Sequence, residues 1–159
     1  MTTITDVIRR ARGLPELRRQ LRASDYLWYN AAKKIDLRTV QGFADLAAPV
    51  IAEQRTLLRE DRLYTLWQAI SQLGTGDVVE VGVYRGGSSA FIAAALDTHG
   101  LPNRVVAVDT FEGHAVVDPD LDADHEVGVG FADVSVTDVR GYLAKHPRVK
   151  VIQGDIMEV

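Results

Sequence analysis

A chain of 159 residues, 47% hydrophobic and 25% charged, suits one domain of ordinary size and can bury a core, which excludes a disordered or fibrous protein. Its 18 basic and 22 acidic residues leave a formal charge of −4, against the basic excess expected of a nucleic-acid binder. With no cysteine it has no disulfide framework, no thiolate chemistry and no cysteine-ligated zinc.

The first twenty residues, "MTTITDVIRRARGLPELRRQ", hold no apolar run of signal-peptide type, and no stretch approaches the roughly 20 apolar residues of a membrane span. The expected setting is the cytoplasm, with no membrane partner. Residues 1–72 read as helical. "TDVIRRARGLPELRRQL" alternates arginines with apolar positions around a Gly-Leu-Pro interruption at 13–15. Further on, Leu57, Leu58, Leu66, Trp67 and Ile70 recur at the three- and four-residue spacing of a one-sided helix. Gly74 and Gly76 punctuate its end.

After Gly76 short β-branched runs alternate with helical segments. "DVVEVGV" (77–83) predicts a buried strand and "SSAFIAAAL" (88–96) a helix, with Ser88 or Ser89 near its N-cap. "RVVAVD" (104–109) predicts a second strand, followed by a long polar loop. "SVTDVRGYLAKH" (135–146) predicts a helix opened by a capping box of Ser135 and Asp138, and "VKVIQGD" (149–155) a third strand. Strands alternating with helices predict an α/β fold: a Rossmann-like, doubly wound parallel sheet with about three strands present, preceded by N-terminal helices.

Ligands of such sheets bind beyond the carboxyl ends of the strands, and each strand end here carries an acid: Glu80 on the first, Asp109 closing the second and Asp155 just past the third. Between Glu80 and the first helix runs Gly82-Val83-Tyr84-Arg85-Gly86-Gly87, a turn whose glycines allow tight bending and close approach of a ligand. Asp109 lies 22 residues after Gly87, near the roughly 20-residue separation at which an acid meets a ribose hydroxyl. A dinucleotide site wants G-x-G-x-x-G, and Tyr84 stands where its middle glycine belongs. An acid two residues before the first glycine instead suits S-adenosylmethionine, whose ammonium a carboxylate can receive.

"DRLYTLWQAI", "GDVVEVGVYRGGSS", "VVAVDTFEGH", "GFADVSVTDVRGYL" and "VKVIQGDI" together resemble the macrocin O-methyltransferase-like family of S-adenosylmethionine-dependent enzymes, which methylate hydroxyls of sugars and related natural products. The resemblance runs from about Arg55 to the end. It implies that Glu80, Gly82, Tyr84, Gly86 and Ser88 wrap the methionine end of the cofactor. Asp109 would take the ribose hydroxyls with Thr110 and Phe111 beside it, Asp155 the adenine amino group, and Ile156 would lie against the ring. Arg62 to Leu66 would pass over the cofactor as part of a cover. Residues 1–72 are then expected to be a helical cap or lid, and residues 73–159 the N-terminal half of an S-adenosylmethionine-binding domain.

Intact members of that family continue into an acid-rich strand end that holds a divalent metal such as Mg2+, and those ligands are not among these residues. The expected activity is O-methylation of a small-molecule hydroxyl by a longer protein; the alternative is a non-catalytic Rossmann-like half-domain. Either way the first strand lies at an open sheet edge, expected to pair with a second copy or a partner chain. No catalytic residue and no metal ligand is assigned. His99 and His146 are expected to be solvated, and Trp28 and Trp67 to pack rather than bind. His114, His125 and the acidic stretch 118–126 lie in the loop after Asp109.

Overall fold

A computed structural model of the chain describes residues 36–113, 131–156 and 158. The helix expected over the first residues, Trp28, His114, His125 and the 118–126 stretch lie outside the described residues. Two compact units divide the chain, Met1–Thr39 and Val40–Val159. The described part of the first is a 3-10 turn over Leu37–Thr39, braced by Arg38 Nε donating to Asp36 Oδ1 at 2.8 Å.

The second unit holds α1 (Phe43–Ala52), α2 (Glu60–Ile70), β1 (Val78–Val81), α3 (Gly87–Thr98), β2 (Val105–Asp109), α4 (Val136–Leu143) and β3 (Val149–Gln153). The three strands form a parallel sheet in the order β1-β2-β3. Val78 pairs with Val105 and Glu80 with Ala107; Val105 pairs in turn with Val149 and Asp109 with Gln153. This is the incomplete Rossmann-like α/β fold that the alternation of elements predicts, with β1, β2 and β3 shorter than their predicted runs by three, one and two residues.

α3 is the hub of the packing. "GSSAFIAAALDT" is apolar or small on nearly every side, and Phe91, Ala93, Ala95 and Leu96 are all buried. Such a helix needs cover all round. The sheet lies on one side of it and α1 and α2 on the other. Phe43 of α1 is fully buried and meets Tyr64, Trp67 and Phe91 edge-on at 5.3, 6.2 and 5.9 Å between ring centres. Trp67 is thus a packing residue, as expected.

Its ring also lies 4.3 Å from the His99 imidazole, whose Nε2 is buried without a hydrogen-bond partner among the described residues. His99 is therefore not solvated: the turn after α3 folds back under Trp67, a contact that local sequence does not reveal. His146 is half-buried too, in the groove between α4 and β3 with Leu143, Pro147 and Val149. Burial, and the Lys145 charge beside it, push its imidazole below the ordinary 6.5.

At the end of the sheet away from the acids, Arg148 binds the Leu101 and Asn103 carbonyls, each at 2.8 Å, and pairs with Asp97. Among the described residues β1 forms one edge of the sheet and β3 the other. Side chains alternate along a strand, so Glu80 faces α3 while Val79 and Val81 face the other way. Those two valines are 58% and 59% exposed.

Candidate cofactor site at the strand ends

The glycine turn hangs on one carboxylate. Asp109, the last residue of β2, accepts Val83 N–H at 2.6 Å and Tyr84 N–H at 2.9 Å on Oδ2, and Phe111 N–H at 2.8 Å on Oδ1. Hydrogen bonds to an ionised acceptor are the strong ones, and three of them shape both the turn after β1 and the corner after β2. The turn takes up left-handed backbone at Gly82 (φ 85°), Tyr84 (φ 51°) and Gly86 (φ 81°). For the glycines this is free; for an aromatic residue it is strained and must be held.

Glu80, the third residue of β1, points under the N-terminus of α3, where the Ser89 hydroxyl donates to its Oε2. Burial pushes its carboxyl above the ordinary 4.5; the Ser88 and Ser89 hydroxyls oppose that shift, and the charge of Asp109 adds to it. The predicted serine N-cap is thereby corrected. The cap of α3 is Gly86, which has no side chain to make a cap bond, and Ser89 lies inside the first turn with its hydroxyl on Glu80. Ser135 does cap α4, accepting Thr137 N–H at 3.2 Å, but its expected capping-box partner Asp138 turns away to Arg55.

Beyond β2, the Thr110 hydroxyl donates to the Gly113 carbonyl at 3.2 Å, and the Phe111 ring is buried with its backbone at φ 57°. Gly154 N–H donates to the Asp109 carbonyl at 3.0 Å, so the strand-end corners of β2 and β3 are tied together. Asp155 and Ile156 follow, both exposed. Gly82, Tyr84 and Gly86 therefore form one turn between Glu80 of β1 and Ser88 of α3, with Asp109 of β2 bonded to it and Thr110 and Phe111 following Asp109.

Some contacts here had no local signature. The segment between α1 and α2 crosses the start of α3: Arg55 C=O accepts Gly87 N–H at 3.0 Å. A Cβ on Gly87 would lie 2.5 Å from the Arg55 carbonyl carbon, so Gly87 serves close packing of two backbones. Arg55 reaches on to α4, binding Asp138 Oδ2 at 2.6 Å and lying 4.4 Å from the Tyr142 ring centre. Burial, with Glu53 beside it, pushes the Tyr142 hydroxyl up to about 12. The other contact joins the glycine turn to the segment before α4: Tyr84 meets Phe131 edge-on at 5.5 Å between ring centres, and Arg85 pairs with Asp133 at 3.0 Å. The one available signal was the aromatic residue in a glycine turn.

Among the described residues no group of three or more His, Asp or Glu is placed to hold a metal ion, and none of the described helices is long and apolar enough to cross a membrane.

The family model described as macrocin O-methyltransferase (TylF) matches residues 24–146. The match starts upstream of Arg55 and stops short of β3, so Asp155 and Ile156 lie outside it. Among curated proteins, the 8-demethyl-8-(2,3-dimethoxy-alpha-L-rhamnosyl)-tetracenomycin-C 4'-O-methyltransferase of Streptomyces olivaceus is 51% identical over 49 residues. Those residues are 30% of this chain and 19% of that protein, so the match spans about a fifth of the relative's length.

Proposed function

The chain belongs to the macrocin O-methyltransferase family, and on that premise we propose that its strand-end turn is the S-adenosylmethionine half-site of an O-methyltransferase acting on a sugar hydroxyl of a natural product. The observation that carries the cofactor assignment is the state of the α3 N-terminus. Dinucleotide sites leave that helix end and its glycines open for a diphosphate. Here the Arg55 main chain lies against Gly87 and takes its N–H. The groups facing the turn are instead two acids, Glu80 and Asp109, an electrostatic setting for a cationic, hydroxyl-bearing ligand without phosphate.

S-adenosylmethionine supplies an activated methyl group when bound. The work of this chain is to bind and orient. Glu80 takes the ammonium of the methionine moiety. Asp109, which keeps one acceptor position on Oδ1 beside its three backbone donors, takes a ribose hydroxyl. The glycines at 82 and 86 keep the turn's backbone within reach. Asp155 and Ile156 would flank the adenine, and α2, through Arg62 to Leu66, would lie over the cofactor as a cover. The rhamnose-directed name of the Streptomyces relative supports a deoxysugar as the acceptor class.

A second reading rests on β1. Its free edge and exposed Val79 and Val81 suit pairing with a further strand from a partner chain or a second copy, in a half-domain without catalysis of its own.

Titration calorimetry with S-adenosylhomocysteine and with NAD+ tests the cofactor reading. S-adenosylhomocysteine binding is expected without NAD+ binding, and Asp109→Ala should weaken it by about 1–3 kcal/mol, the cost of unmatched polar groups. NAD+ binding of equal strength, or unchanged affinity in the variant, would overturn the assignment.

A further inference from the structure

We propose that Arg85, Phe131 and Asp133 are positioning residues for the cofactor turn: together with Tyr84 they latch the segment that enters α4 onto the glycine turn and hold its amides in register with Asp109. The proposal deepens the S-adenosylmethionine reading and rests on it.

Tyr84 and Phe131 both carry left-handed backbone, with φ of 51° and 73°, a region that bulky L-residues rarely enter. Two strained aromatic residues facing each other require surroundings that hold both. Their rings meet edge-on at 5.5 Å and 83°, an arrangement that the ring quadrupoles favour. Core burial does not account for Phe131, which is 42% exposed. The second brace is electrostatic. The Arg85 guanidinium lies 5.0 Å from the Tyr84 ring centre, and its Nη2 meets Asp133 Oδ2 at 3.0 Å. Tyr84 is therefore held from residue 131 directly and from residue 133 through Arg85.

What the latch acts on is the Tyr84 amide. That N–H donates to Asp109 Oδ2 at 2.9 Å, beside Val83 N–H at 2.6 Å. A shift of Tyr84 by a fraction of an ångström loosens the bonds that orient the Asp109 carboxylate, the group assigned to the ribose. Arg85 and Asp133 side chains are 36% and 61% exposed, so their pair is open to screening by salt.

The experiment compares wild type with Phe131→Ala, Phe131→Tyr, Asp133→Asn and Asp133→Glu. Two quantities are read: amide hydrogen exchange of Val83 to Gly86 without ligand, and affinity for S-adenosylhomocysteine at low and high salt. Phe131→Ala is expected to speed exchange of the turn amides and weaken binding about five-fold. Asp133→Asn should weaken it about two- to three-fold and flatten its salt dependence. Phe131→Tyr and Asp133→Glu should restore both quantities. Unchanged turn exchange and affinity in Phe131→Ala, or losses that the conservative variants fail to restore, would overturn the proposal. Should Phe131→Ala not fold, the aspartate pair decides the same question. If wild type binds no S-adenosylhomocysteine, the cofactor reading falls, and exchange in the ligand-free protein still decides whether the latch exists.

Discussion

Gly87→Ala is the sharpest test of how the cofactor turn is built. A methyl group on Gly87 would meet the Arg55 carbonyl carbon at 2.5 Å, its oxygen at 2.6 Å and Cβ at 2.9 Å. Two of those atoms are backbone, and Arg55 is anchored at its far end by Asp138 and Tyr142. The strap must lift or α3 must retreat. Overpacking of this kind costs about 1–3 kcal/mol. Lifting the strap also breaks the bond from Gly87 N–H to Arg55 C=O, worth about 1 kcal/mol. The expected loss is then about 2–4 kcal/mol. At about 2–4 °C per kcal/mol for a chain of this length, that is a fall in Tm on the order of 10 °C. Gly141 is the matched control. It lies inside α4 with nothing within 4 Å of its would-be Cβ. Alanine there should stabilise by about 0.5–1 kcal/mol by restricting the unfolded chain and improving helix propensity. Chemical denaturation of both variants gives opposite signs if the packing argument holds. A Gly87→Ala protein as stable as wild type would refute the close approach of the strap to α3.

Glu80 should make stability depend on pH. Its carboxyl is held above the ordinary 4.5 by burial, so the stability it contributes is complete below that value and is lost as pH rises through its folded value. Glu80→Gln removes that loss: denaturation should find the variant more stable than wild type at pH 7 and no different below about pH 4, while affinity for S-adenosylhomocysteine falls. A variant destabilised equally at both pH values would place the role of Glu80 elsewhere. At the sheet edge, Val79→Lys should lower self-association measured by light scattering, because a charge on an apolar edge strand discourages pairing; scattering equal to wild type would exclude β1 as the contact.

The sequence by itself determined the order and type of the elements from Gly76 onward, since period-two and period-3.6 patterns are local and each is closed by a turn residue. It determined the acids at the strand ends as well, because in a parallel sheet every strand delivers its last residue to the same side. The Ser135 cap was legible for the same reason: donor and acceptor sit two residues apart. What only the tertiary structure decided are contacts between residues far apart in the chain. Ser89 lies in the first turn of α3 rather than at its cap, and Glu80, nine residues earlier, takes its hydroxyl. Asp138 leaves its capping box for Arg55, 83 residues away. Asp109 organises the glycine turn from 25 and 26 residues downstream. Gly87 reads as one more loop glycine until the Arg55 backbone is laid across it. Side chains with several possible partners choose among them by what packing brings within about 3 Å, and that choice is made by the assembled layers of helix and sheet, not by any local run of sequence.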